Sequence, residues 1–271
     1  MSAIVVRDLV KRYGEVVVLE RVDVEIASGA FCAVVGASGC GKSTFLRILL
    51  GQESPTSGRV TVDGVAVAPE PTPERGIVFQ RYSVFPHLTV IQNLMLAADL
   101  GSGNRLGRVL GVARRAARAE AEAIQARVGL AHARDRYPAS LSGGMQQRLA
   151  IAQTLLGRPK VLLLDEPFGA LDPGIRAEMH GLISEIWREH RITILMVTHD
   201  IDEAFTLATR VLVLDKVRRD PQFPNAYGAA IALDIPLDGP GPHATARAEV
   251  GAILGATRPS LDSLLPQEIA T

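Results

Sequence analysis

One stretch of eight residues constrains this chain more than any other. Gly36-Ala37-Ser38-Gly39-Cys40-Gly41-Lys42-Ser43 has the spacing G-x-x-x-x-G-K-[ST]; it follows the apolar run Phe31 to Val35 and precedes a helical pattern from Ser43 to Leu50. A strand that feeds a glycine-rich loop and then a helix is the setting in which this spacing makes a phosphate cradle. Glycines at 36, 39 and 41 allow positive φ and turn successive N–H groups inward at a helix N-terminus. Lys42 adds a mobile cation for β- and γ-phosphates, and Ser43 offers a hydroxyl to Mg²⁺, a hard cation that prefers oxygen. Cys40 sits inside the loop, either as an activated thiol or as an inert small side chain.

The rest of the chain supplies a sheet for that loop. Phe31 to Val35, Ile77 to Phe79, Val161 to Leu164, Ile192 to Val197 and Val211 to Leu214 are short, continuous, branched apolar runs, which suit strands covered on both faces. Helical patterns lie between them at Ser43 to Leu50, Met145 to Leu156, Ile175 to Glu189 and Glu203 to Ala208. This predicts an α/β fold with a mainly parallel central sheet. Val22, Val24 and Ile26 alternate with Asp23 and Glu25 and predict a half-buried antiparallel strand outside that sheet. Between Leu88 and Pro138 the strand signal disappears and one long helix is expected over Ala113 to Val128, so a helical lobe is inserted there. Arg105 to Arg118 holds five arginines and no acid, and is either a contact surface or a solvated helix face. Beyond Leu214, prolines punctuate the chain, one further strand is expected at Ala229 to Leu233, and the tail from Asp238 onward is the least ordered by composition.

More chemistry sits at the ends of the apolar runs. Val161 to Leu164 ends in Asp165-Glu166, and carboxylates at a buried strand end are costly without a cation. Because strand side chains alternate, Asp165 can reach the metal while Glu166 orients or deprotonates an attacking water. Gln80 ends its own run, where a neutral amide can touch Mg²⁺ or water and report to the helical lobe. His199 follows Ile192 to Val197, at the strand edge where open α/β sheets place their ligands. Ser142-Gly143-Gly144 precedes the helical run from Met145 and displays a hydroxyl and N–H groups at another helix N-terminus. That second cradle has no lysine and no metal carboxylates of its own. It is therefore expected to complete a nucleotide site on another chain, in a head-to-tail dimer around two nucleotides.

Composition removes several alternatives. Lys+Arg and Asp+Glu number 29 each, so no global field holds a polyanion and nucleic acid is not expected as a partner. The two cysteines, Cys32 and Cys40, support neither a disulfide framework nor a metal cluster. The longest uncharged stretch, Tyr82 to Ala98, is too polar and too short to span the ~30 Å of a bilayer's hydrocarbon core. The N-terminal residues carry charges throughout, unlike a signal or transit peptide, so a cytosolic location is expected. No N-K-x-D base-reading motif occurs, which disfavours GTP.

In its order of motifs the sequence resembles the ATP-binding subunits of ABC transporters over roughly residues 3 to 215: the loop at Gly36, Gln80, the signature Leu141 to Gln146, Asp165-Glu166, Gly169-Ala-Leu-Asp172 and His199. The resemblance implies a P-loop NTPase fold with a mainly parallel central sheet, an antiparallel β subdomain and an inserted α-helical lobe. It implies a nucleotide-binding domain over residues 1–237, with the lobe at about 88–157, and a C-terminal tail at 238–271. By the same resemblance ATP and Mg²⁺ are the cofactors. Tyr13 stacks on adenine; Gly36 through Thr44 (with Ala37, Ser38, Cys40 and Lys42), Gln80 and Ser142 to Gly144 bind nucleotide; Asp172 belongs to the inter-subunit loop. Ser43, Gln80 and Asp165 are the metal residues, and Glu166, His199 and Lys42 the catalytic ones. Met145 and Gln153 depart from the family pattern, which more often has glutamine and arginine there.

The implied partners are a second ATPase subunit, identical or not, transmembrane permease subunits and, through them, a solute-binding protein. This places the chain at the cytoplasmic face of the membrane. The segment Gln80 to Val90, with Phe85, is expected either to form a groove for a permease helix or to pack within the lobe. The chain after Leu214 is short for the extra domain of sugar and polyamine importers, and the overall pattern looks most like importers of nitrate, sulfonate and taurine. A soluble ABC-type ATPase and a non-hydrolysing nucleotide switch are the alternative classes; the first usually fuses two cassettes or carries a coiled coil, and the second would lack Glu166.

Overall fold

The computed structural model describes residues 2–72, 74–80, 83–101, 111–218, 222–223, 225–237 and 243–256. In chain order the elements are β1 (Ser2–Tyr13), β2 (Val16–Ala27), β3 (Phe31–Val35), α1 (Lys42–Leu50), β4 (Ser57–Val62), β5 (Val65–Ala66), β6 (Arg75–Val78), α2 (Val90–Gly101) and α3 (Gly111–Arg127). There follow α4 (Gly143–Leu156), β7 (Val161–Asp165), α5 (Pro173–His190), β8 (Thr193–Thr198), α6 (Ile201–Leu207), β9 (Arg210–Asp215), β10 (Ala230–Pro236) and α7 (Ala244–Ala256).

Two sheets form. The larger has the order β10-β9-β3-β8-β7-β6, parallel throughout except for β10, which pairs antiparallel with β9. All residues of β3 and β8 are buried, as continuous apolar runs require when helices cover both faces. The smaller sheet, β2-β1-β4-β5, is antiparallel. Its β2 alternates from Val22 to Ile26, with the three apolar side chains inside and Asp23 and Glu25 outside. Sequence periodicity did not disclose β1, because Arg7, Asp8, Lys11 and Arg12 interrupt its alternation and register shifts break its pairing with β2.

The inserted lobe is α2, α3 and α4 around its own core of Val90, Leu94, Ala121, Leu130, Leu149 and Ala152. Asn93 is fully buried there. Its side chain accepts from the Phe85 amide at 2.8 Å and donates to the Leu88 and Thr89 carbonyls at 2.9 and 3.0 Å, which fixes the turn entering α2. Gln153 Nε2 donates to Asn93 Oδ1 at 3.2 Å, so this departure from the family pattern ties α4 to α2. Of the arginine-rich stretch, Arg105 and Arg108 lie outside the described residues. Arg114 and Arg118 are exposed on α3, within 3.9 Å of Asp99 and 3.1 Å of Glu122.

Part of the C-terminal segment departs from expectation, while residues 238–242 and 257–271 lie outside the described ones. The stretch after Asp238, read as the least ordered, contains α7, whose Val250 is wholly buried in the core. Arg247 pairs with Asp202 and stacks 5.3 Å from the Phe205 ring centroid, anchoring α7 on α6. The prolines and glycines just before α7 obscured this helix, and its run of small residues carries little helical amphipathicity. β10 likewise runs past Leu233 to Pro236, which an edge strand tolerates because its missing N–H faces no partner.

Candidate nucleotide site

The phosphate loop leaves β3 at Gly36, where no other residue fits. A Cβ there would lie 2.4 Å from the Leu214 carbonyl oxygen and 2.7 Å from Cys40 Sγ. Gly39 and Gly41 have φ of +78° and +102°, and Gly41 is the N-cap of α1. Ser38 and Gly39 form the exposed crest, while Ala37, Ser43 and Thr44 are half-buried. The Lys42 ammonium is folded over the loop, donating to the Gly36 and Ala37 carbonyls at 2.9 Å each.

Burial raises the Cys40 thiol against the opposing pull of Lys42, and pushes the Cys32 thiol up to about 12. A thiol so raised becomes thiolate only above the ordinary thiol range. At about pH 7.5 iodoacetamide is therefore expected to label native protein at less than roughly one-tenth the rate of the unfolded chain. Intact mass reads the result; fast alkylation at Cys40 would show an activated thiol instead.

Three neighbouring strands bring the remaining groups to the same edge. Ser43 Oγ donates to Asp165 Oδ1 at 3.3 Å. Burial raises the Asp165 carboxyl, the Ser43 hydroxyl opposes that shift, and the adjacent Glu166 charge adds to it. Glu166 has φ of +45°, a left-handed conformation that is strained for a residue with a side chain, while its amide still donates to the Val197 carbonyl at 2.9 Å. That turn carries the carboxylate off the strand axis. Glu166 Oε2 accepts from Gln80 Nε2 at 3.5 Å and lies 3.2 Å from His199 Nδ1.

The other expected site residues stand on separate elements. Tyr13 ends β1, 46% exposed, with its hydroxyl on Glu53 and the Lys11 ammonium 4.7 Å from its ring centroid. Ser142 is the exposed N-cap of α4, and its Oγ accepts from the Met145 amide at 3.3 Å. A Cβ at Gly144 would lie 2.4 Å from Ile175 Cγ2, so glycine lets α4 approach α5 closely. Asp172 is the exposed N-cap of α5, and its side chain makes no capping bond. Sequence reasoning did not single out Glu53, Lys11, Arg176 or Glu203. Their contacts cross between elements, and only the spacing Asp200-x-x-Glu203 hinted at a role, as a capping box.

The model of the ABC transporter family matches residues 19–169, more than half the chain and all of the site from the phosphate loop to Gly169. The chain belongs to the ABC transporter family. It is accordingly an ATP-binding cassette of the ATP-hydrolysing kind, built on a P-loop NTPase fold. The aliphatic sulfonates import ATP-binding protein SsuB of Burkholderia ambifaria is 42% identical over 247 residues, 90% of this chain and 68% of that protein. The bicarbonate transport ATP-binding protein CmpC of Synechococcus elongatus is 46% identical over 222 residues, 82% of this chain and 32% of that longer protein. Among solved structures, the dimeric post-hydrolysis state of the ATP-binding cassette MJ0796 bound to ADP and Pi superposes with a TM-score of 0.71 at 27% identity, covering 87% and 99% of the two chains. CbiO1 of Clostridium perfringens, part of the ABC transporter complex cbiONQ, gives 0.73 at 27% identity and 97% coverage of both.

Proposed function

We propose that this chain is the energy-coupling ATPase of an importer for a small anion, and that two ATPase subunits close around two ATP molecules to move a permease. The observation that carries this reading is an asymmetry. One sheet edge gathers Lys42, Ser43, Gln80, Asp165, Glu166 and His199, whereas the cradle at Ser142 to Gly144 stands on the helical lobe without a lysine or acid pair.

In this reading the loop amides of Gly36 to Thr44 and the Lys42 ammonium hold the phosphates, and Tyr13 stacks on adenine. Ser43 and Asp165 suit Mg²⁺, because a hydroxyl and a half-buried carboxylate 3.3 Å apart are hard oxygen donors and the carboxylate's charge needs compensation; Gln80, within hydrogen-bond reach of Glu166, offers an amide oxygen. Mg²⁺ bound there supplies positive charge to the phosphate oxygens. Glu166 takes a proton from the attacking water as its oxygen bonds to the γ-phosphorus and the bond to ADP breaks. His199, its Nδ1 turned to Glu166, presents Nε2 to the γ-phosphate. Ser142 and Asp172 act across the interface on the second subunit's site.

A cavity of about 200 Å³ between sheet and lobe is lined by Phe79, Ser83, Phe85, Ala97, Leu100 and Gln153. Phe85 and Leu100 are 40% and 64% exposed, which supports a partner helix of the permease over packing inside the lobe. No helix among the described residues is long and apolar enough to cross a membrane, so in this reading the permease holds the chain at the cytoplasmic face. Aliphatic sulfonates and bicarbonate, the cargoes named for the relatives, carry small oxyanion groups; nitrate shares that chemistry, and taurine carries a sulfonate beside its ammonium.

The test is co-purification with a multispanning subunit, followed by reconstitution with the associated solute-binding protein and a screen of small oxyanions, sugars and amino acids. One oxyanion is expected to stimulate ATP hydrolysis; failure to co-purify would return the chain to the soluble ATPase class. Phe85→Asp should abolish solute uptake by that complex while the isolated subunit's ATP hydrolysis stays within about twofold, since a charge in the groove opposes apolar docking. Unimpaired uptake would remove the groove.

A further inference from the structure

Behind Glu166 and His199 lies a small cavity of about 60 Å³, walled also by Gly169, Arg176, Thr198, Asp200 and Glu203. Glu203 stands out as a carboxylate with 3% exposure. Its spacing from Asp200 suits a capping box, in which the acid would reach back to the N-cap amide. Instead the Asp200 amide donates to Thr198 Oγ1 at 3.0 Å, and the Thr198 hydroxyl donates to Glu203 Oε2 at 2.8 Å. The cap itself is made by Asp200, which accepts from the Asp202 and Glu203 amides.

Glu203 is thereby available to other groups. Its Oε1 faces Arg176 Nε at 3.7 Å and His180 Nε2 at 3.8 Å, two buried nitrogens without a direct hydrogen-bond partner. A polar cavity of this size admits bridging water.

Arg176 reaches in three directions. Nε faces Glu203, Nη1 lies 3.6 Å from Asp200 Oδ2, and Nη2 donates to the Leu171 carbonyl at 3.2 Å. A planar guanidinium can hold three acceptors in fixed relation, which a lysine ammonium on a flexible stem cannot. Glu203 lies on α6, and the other two acceptors belong to the two segments beside the reacting edge. One is the 169–172 loop, where a Cβ on Gly169 would sit 3.9 Å from His199 Cε1; the other is the strand end Thr198 to Asp200 that carries His199.

We propose that Arg176, paired with buried Glu203, is a positioning residue for ATP hydrolysis: it locks the 169–172 loop to the His199 strand end and so holds the 3.2 Å contact between His199 and Glu166. The proposal rests on the reading of Glu166 and His199 as the hydrolytic pair.

Removing Arg176 alone leaves the Glu203 carboxylate buried without that cation, and such a variant loses stability for that reason alone. The deciding variant is therefore R176Q/E203Q, which removes both. Melting temperature, kcat and KM for ATP are measured on the full chain. The double variant is expected to melt near the wild type and keep KM within about twofold while kcat falls about tenfold, the split of a change felt in the transition state. R176K keeps the charge without the fork, and is expected to melt near the wild type with a kcat still below half. A wild-type kcat in the double variant overturns the proposal, as does a rise in KM that matches the fall in kcat. Should the double variant melt low, R176K decides: reduced kcat at unchanged KM supports the lock, and wild-type kcat overturns it. E166Q separates this from the underlying reading. If E166Q still turns over, the hydrolytic assignment has failed; if E166Q is inactive and R176Q/E203Q runs at the wild-type rate, only the lock has.

Discussion

Glu166→Gln is expected to lower kcat by about 10³-fold while ATP stays bound, since a positioned general base contributes roughly 10²–10⁴. The substitution keeps shape and the strained backbone turn, so its effect is confined to charge and basicity. An amide oxygen can still accept from His199 Nδ1, but the amide cannot take a proton from water. With hydrolysis blocked and binding intact, the chain should also accumulate as an ATP-bound dimer. Single-turnover phosphate release and size-exclusion chromatography with ATP and Mg²⁺ check both outcomes. Turnover within tenfold of the wild type would remove Glu166 from the mechanism and require another base at this edge.

Ser142→Arg is expected to leave ATP binding by the monomer within about twofold and to reduce hydrolysis by at least about 10²-fold, because the missing donor acts only when two subunits meet. One confounding effect needs separating. Ser142 caps α4 by accepting from the Met145 amide, and loss of such a cap costs about 1 kcal/mol. Ser142→Ala loses the cap and the donor but adds no bulk, so comparison of the two variants isolates the steric effect of the arginine, and the monomer's melting temperature reads the lost cap. The hydroxyl can serve both tasks at once, accepting from Met145 while donating its proton to a phosphate oxygen. Loss of ATP binding by monomeric Ser142→Arg would argue against a shared site.

The two turns that lead into α1 and α4 were legible for a local reason. Each depends on backbone conformations within a few consecutive residues: positive φ at Gly39 and Gly41 in one, a serine N-cap in the other. The parallel sheet was legible because strands buried on both faces must be apolar throughout. β1 was not, since its charges and bulges hide a period of two. Neither was α7, whose alanines and glycines give a weak pattern although Val250 is wholly buried.

By itself the sequence determined which groups are present and what chemistry they suit: a glycine-rich loop with Lys42 and Ser43, acids at a strand end, an amide and an imidazole at two others. Only the tertiary structure decided that they meet. The strand order β3-β8-β7-β6 sets His199 and Gln80 on either side of Glu166, and α5 lays Arg176 between the 169–172 loop and Glu203. Local spacing fixes local backbone geometry, whereas contacts across more than a hundred residues, such as Ser43 to Asp165, depend on how the sheet orders its strands.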